Sequence, residues 1–131
     1  MKELNEQLLL YHSMMLIVMA DGDVSADELT LVSCLCSTVP EFQETDFDAL
    51  RNAWAEFAGE YEDQWDALGA LVNLEDTRLS QKAFVLACDL AMASEGIKAE
   101  EYEMLNDMAA ALGIRDNDAL KILNVLQMKY A

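Results

Sequence analysis

Met19-Ala-Asp-Gly-Asp-Val-Ser-Ala-Asp-Glu-Leu29 joins an apolar stretch to a second helix-like stretch through a turn crowded with carboxylates. A shift of 73 residues, without a gap, lays it on Met92-Ala-Ser-Glu-Gly-Ile-Lys-Ala-Glu-Glu-Tyr102. Met19/Met92, Ala20/Ala93, Ala26/Ala99 and Glu28/Glu101 are identical in the two copies. Val24/Ile97, Asp27/Glu100 and Leu29/Tyr102 keep their character. The chain therefore reads as a duplicated helix–acidic turn–helix unit.

Upstream of the first turn, Leu4, Leu8, Tyr11, Met15 and Val18 recur at spacings of 4, 3, 4 and 3, one face of a helix. Leu9, Leu10, Met14, Ile17 and Met19 widen that face until little of it is polar, which suits the centre of a bundle. This helix stops at Asp21-Gly22. Ser25 opens the next, and Glu28 three residues on completes a capping box in which two unpaired amide donors are satisfied reciprocally. The second helix carries Leu29, Val32, Leu35 and Cys36 to about Thr38, and Pro40 closes it. A third starts at Thr45-Asp46 and buries Phe47, Leu50, Trp54 and Phe57; a fourth carries Trp65, Leu68 and Val72. The first pattern then returns, with Leu79, Ala83, Leu86, Leu90 and Ala93 again stepping 4, 3, 4 and 3. Under the same shift Tyr11 falls on Phe84 and Met15 on Cys88. A sixth helix runs from about Lys98 through Tyr102, Leu105, Met108 and Ala109 to Gly113 at its C′ position. The last starts near Asp116 and buries Leu120, Leu123, Val125 and Leu126. The expectation is an all-α fold over residues 1–131. About seven helices form one compact bundle with a pseudo-twofold pair of helix–acidic turn–helix units.

Composition agrees. One Pro and five Gly in 131 residues favour helix, and a hydrophobic content of 53% argues against disorder. The formal charge is −17, and it is unevenly spread. Residues 1–77 hold seventeen acids against Lys2 and Arg51, whereas residues 78–131 are close to balanced. Such a field repels nucleic-acid backbone and anionic lipid and suits cations, basic protein partners or plain solvation. Cys34, Cys36 and Cys88 lie in apolar helical surroundings without a Cys-x-x-Cys pair and read as reduced core thiols. The start, Met-Lys-Glu-Leu-Asn-Glu, lacks the form of a signal peptide, and the apolar run Leu8 to Ala20 is too short to span a bilayer. The expected location is the cytoplasm, without membrane insertion.

Carboxylate oxygens gathered at a turn are what a hard cation needs. With Gly22 at the sixth position of an EF-hand loop, Asp21, Asp23, Ser25 and Glu28 fall at positions five, seven, nine and twelve. Positions one and three become Ile17 and Met19, which have no oxygen to offer, so a true EF-hand is rejected. A half-loop can still take a cation if the second turn, with Glu95, Glu100 and Glu101, supplies the missing oxygens. The competing reading is structural: Ser25, Asp27 and Glu28 cap one helix while Glu100 and Glu101 oppose the dipole of another. Enzyme chemistry finds little support. His12, the only histidine, sits in the apolar first helix with no nucleophile at triad spacing, no Glu-x-x-His pair is present, and no Gly-rich phosphate loop occurs. The methionines Met14, Met15, Met19, Met92, Met104 and Met108 read as core filling rather than as an adaptable groove.

The two turns, followed by Met108-Ala-Ala-Ala-Leu-Gly-Ile114, resemble the tellurite-resistance TerB family. The resemblance covers most of residues 8–126 in helix order, with about thirty residues in its specific motifs. It implies an all-helical cytoplasmic domain that binds a divalent metal at these turns, and their oxygen-only ligands suit a hard ion such as calcium or magnesium. It also implies a place in a stress-response system with membrane-associated protein partners. Carried over by position, the metal-binding acids are Asp21, Asp23, Asp27 and Glu28 in the first turn and Glu95, Glu100 and Glu101 in the second. The Asp-Gly pair of the first turn is absent from the second. The alternative is an acidic interaction or adaptor module that docks a basic partner without metal.

Overall fold

Helix α1 (Lys2–Met19) is buried on almost every side from Leu9 to Val18, and five of the other six helices pack on it. The computed structural model describes the backbone of residues 2–20, 22, 24–93 and 97–131, and the side chains of these except 2–5 and 64. After α1 come α2 (Ala26–Cys36), α3 (Phe47–Ala58), α4 (Gln64–Leu68), α5 (Thr77–Ala93), α6 (Ala99–Leu112) and α7 (Asp116–Lys129). Short 3-10 segments fill Pro40–Phe42 and Gly69–Asn73. Among the described residues there are seven α-helices and no strand, an all-α bundle as the periodicity predicts.

The principal neighbour of α1 is α5. Glu6 and Leu79 line the same hollow, and Ser13 Oγ donates to the Ala83 carbonyl at 3.2 Å. The offset between facing residues therefore stays near the 73 of the repeat, so the two helices run parallel. Cys36 at the end of α2 reaches back to Met14 Sδ at 3.5 Å, so α2 returns antiparallel along α1. Helix α1 also packs on α6, and α5 on α2, the exchange of partners that a pseudo-twofold requires. The C-terminal ends of α1 and α5, and with them the starts of α2 and α6, thus lie towards the same end of the molecule.

Local chemistry explains the helix ends. The Ser25–Glu28 capping box forms: the Glu28 amide donates to Ser25 Oγ at 3.1 Å, and the Ser25 amide donates to Glu28 Oε1 at 3.3 Å. Asp46 and Asp63 cap α3 and α4 through side-chain oxygens. Gly113 adopts φ +73°, and the Ile114 amide donates to the Ala109 carbonyl at 2.8 Å, closing α6 in a left-handed turn that other residues enter with strain. Replacing Ser25 with alanine removes one half of the box and is expected to lower stability by about 1 kcal/mol, with Asp at the same position restoring most of it. A denaturant titration of the three proteins checks this.

Several core assignments shift. Helix α2 ends at Cys36, and Pro40 opens a 3-10 turn whose Phe42 enters the core. The fourth helical segment changes from α to 3-10 after Leu68, which rotates its inner face. Ala67, Leu68, Ala70 and Leu71 are buried there, while Trp65 and Val72 are exposed. On α6 the inner face is Glu101, Met104, Leu105 and Met108, one step away from Tyr102, which is exposed. Helix α7 buries Leu126 and half-buries Leu123, leaving Leu120 at 57% and Val125 at 61% exposure. It is pinned to α5 at its far end, where Asp89 accepts from Lys129 Nζ at 2.8 Å and from the Tyr130 hydroxyl. Cys36 and Cys88 are core thiols, but Cys34 is exposed. Leu4, placed by the pattern on the inner face of α1, has a side chain outside the described residues.

Candidate functional site

Four of the seven carboxylates assigned to the turns fall among the described residues, and they occupy equivalent places. Asp27 and Glu28 lie in the first turn of α2, Glu100 and Glu101 in the first turn of α6. Asp27 and Glu100 are exposed. Glu28 receives the Ser25 amide and the Ser25 hydroxyl, both on Oε1. Glu101 is only 3% exposed and accepts from the Lys98 amide at 2.9 Å. The Glu28/Glu101 identity thus has a backbone role in each copy. In the second copy the box is reduced to one arm, because Lys98 stands where Ser25 stands and an ammonium has no lone pair to receive an amide. Asp21, Asp23 and Glu95 lie outside the described residues. Gly22, between the first two, has φ +77°, and its amide donates to the Met19 carbonyl at 3.0 Å. Among the described residues no three of His, Cys, Asp and Glu gather as a metal ion needs, so Asp27, Glu28, Glu100 and Glu101 form no ligand set by themselves.

A second polar centre sits midway along α1. His12 is fully buried, and both ring nitrogens are bonded. Nδ1 receives the Trp54 indole N–H at 2.9 Å, so Nε2 carries the proton and donates to the Ala67 carbonyl at 2.9 Å. Phe57 meets the ring edge-on at 5.0 Å and Tyr61 lies nearly parallel at 6.5 Å. Burial lowers the imidazole pKa below its ordinary value, against the opposing pull of the Ala67 carbonyl. The result is a neutral ring that ties α3 and α4 to α1, with no nitrogen left to move a proton for a substrate. The thiols of Cys36 and Cys88 are equally withdrawn, pushed up to about 12 by burial and hence protonated at neutral pH.

At the opposite end from the turns, where α1 and α5 begin, Lys82 Nζ donates to both oxygens of Glu41 at 2.8 Å. The Gln7 side-chain amide donates to the Glu41 carbonyl, so this residue links α1 to α5. Burial alone would raise the Glu41 pKa; the Lys82 hydrogen bond, a backbone hydrogen bond and the Lys82 charge together hold it below the usual value. Beside this pair lies a cleft of about 430 Å³, with Leu9, Phe57, Leu74 and Leu79 on its floor and Glu6, Glu75 and Asp76 at its edge. Neither the His12 centre nor this cleft was assigned from sequence. The His12 partners are 42 and 55 residues away, and the cleft joins three separate segments. The buried Asp89 had a visible signal, a lone charge between Cys88 and Leu90 on an otherwise apolar stretch.

The chain matches no family model, no curated protein and no solved structure. No described helix is long and apolar enough to cross a membrane.

Proposed function

We propose that this chain is a non-enzymatic, TerB-like binding domain of the cytoplasm. In this reading it takes a divalent cation of the calcium or magnesium kind where α1 and α5 both stop, within a stress-response assembly of the tellurite-resistance kind. The observation that supports the reading is the parallel course of α1 and α5, which carries both acidic turns towards one end. Asp21, Asp23 and Glu28 are the leading ligands, with Glu95 or Glu101 completing the set. Among the described residues the bonds that Glu28 receives fall on Oε1, which leaves its second oxygen for a cation without loss of the cap. Hard cations of this kind take six or more oxygens, more than one turn supplies, which is why two turns are required. Asp21→Ala combined with Asp23→Ala is expected to abolish calcium and magnesium binding in calorimetry while far-ultraviolet circular dichroism stays unchanged. Retained affinity would sink the reading.

A second reading, an acidic module that docks a basic protein partner, is favoured by a separate observation. The seventeen acids of residues 1–77 face two bases, and the cleft at the start of α1 adds an apolar floor to that field. Its hallmark is partner binding that weakens steeply as salt is raised.

A further inference from the structure

We infer that the cleft between α1, α3 and the Leu74–Leu79 segment is a docking site for a partner-protein segment that presents an apolar side chain beside a Lys or Arg. The inference rests on the docking reading above and is independent of the cation.

The floor is apolar and drawn from three parts of the chain: Leu9 of α1, Phe57 of α3, and Leu74 with Leu79 on either side of the α5 start. These side chains belong to the core or pack against it, so the floor is held by the fold. Its volume of about 430 Å³ falls within the range of pockets that enclose a ligand group, roughly 300–1,000 Å³. The edge has one sign. Glu6, Glu75 and Asp76 line it, and among the described residues no Lys, Arg or His does. Asp76 has calls on it: Oδ1 receives the Arg78 amide at 2.9 Å and stands 3.9 Å from the Arg78 guanidinium. Glu6 and Glu75 have no cationic partner among the described residues. Of the two neighbouring cations, Lys82 is committed to Glu41, and Arg78 is exposed and among the described residues reaches only Asp76.

Charge complementarity selects the occupant. An apolar group alone would leave the carboxylates partly desolvated and unpaired, an acidic segment would be repelled, and a purely basic one would leave the floor wet. A side chain that fills the floor next to an ammonium or guanidinium satisfies both. The acidic field of residues 1–77 also speeds encounter with such a partner.

The test uses the full chain and three end-blocked tetrapeptides: acetyl-Lys-Leu-Phe-Lys-amide, acetyl-Glu-Leu-Phe-Glu-amide and acetyl-Lys-Ser-Ser-Lys-amide. Amide NMR shifts and calorimetry are followed at low salt. The first peptide is expected to move the resonances of Leu9, Phe57, Leu74 and Leu79, and the other two to bind at least about tenfold more weakly. Glu6→Gln with Glu75→Gln is expected to weaken the first peptide about tenfold, while Asp116→Asn with Asp118→Asn on α7 leaves it unchanged. Equal binding of both basic peptides, with shifts spread over residues 1–77, would overturn the cleft and leave the docking reading standing. No binding of either basic peptide would overturn both.

Discussion

His12→Leu is expected to lower the stability of the fold by about 2–4 kcal/mol, with unfolding measured in urea at pH 7.5. The leucine fills much of the ring's space but leaves the Trp54 indole N–H and the Ala67 carbonyl without their shared partner, and each such loss costs roughly 1–3 kcal/mol. His12→Gln separates this polar role from titration, because its side-chain amide offers one acceptor and one donor and takes up no proton. The pH dependence follows from the lowered pKa of the buried ring. In the unfolded chain the imidazole titrates near its ordinary value of about 6.5, while in the folded chain it stays neutral to lower pH. The unfolded state therefore binds the extra proton. The histidine's contribution is full above pH of about 6.5 and is lost as pH falls from there towards the folded pKa, with a slope of up to about 1.4 kcal/mol per unit. Between pH 6.5 and 5.5, mostly above the range where the carboxylates titrate, the native protein should lose stability faster than His12→Gln. Parallel curves for the two would show that the ring is not held neutral.

Phe84→Ala is expected to cost more, about 3–5 kcal/mol, a large part of the roughly 5–15 kcal/mol that holds a domain of this kind together. Phe84 is 1% exposed at the middle of α5, the helix that packs most extensively on α1, and its removal opens a cavity that neighbouring helices cannot close without moving. Leu120→Ala on the outer side of α7 should change stability by less than about 0.5 kcal/mol, although the sequence pattern places both residues inside. Thermal and urea unfolding of the two variants distinguish a core centred on α1 and α5 from one spread evenly over seven helices.

The central pair was visible in the sequence because its apolar steps repeat at one offset, and because an all-round apolar helix has only one place to go. The ends at Ser25 and Gly113 were visible for a different reason: capping chemistry is local, and a hydroxyl three residues before a Glu, or a Gly after an apolar run, needs no tertiary knowledge. Periodicity failed where the period itself changes. At Leu68 the chain passes from 3.6 to three residues per turn, so Leu71 takes the inner place that the helical period gives to Val72. It failed again on α7, whose mixed pattern of Leu120, Leu123, Val125 and Leu126 does not say which neighbour covers which side. At the candidate site, the role of Glu28 was legible from Ser25 three residues before it, whereas that of Glu101 was not, because Lys98 stands where a capping hydroxyl would. Glu28 and Glu101 are identical across the repeat and both hold a helix start, the structural use weighed beside the metal one. The direction of α1 against α5, which gives the two turns a common end, is a tertiary fact.

A calcium and magnesium titration of the chelator-treated protein, by calorimetry together with thermal melting, tests the central claim most directly. The account predicts a saturable site of about micromolar affinity and a melting temperature that rises with cation concentration, since binding to the folded state alone stabilises it. Absence of both heat and shift would contradict it and leave the two acidic turns as the starts of helices.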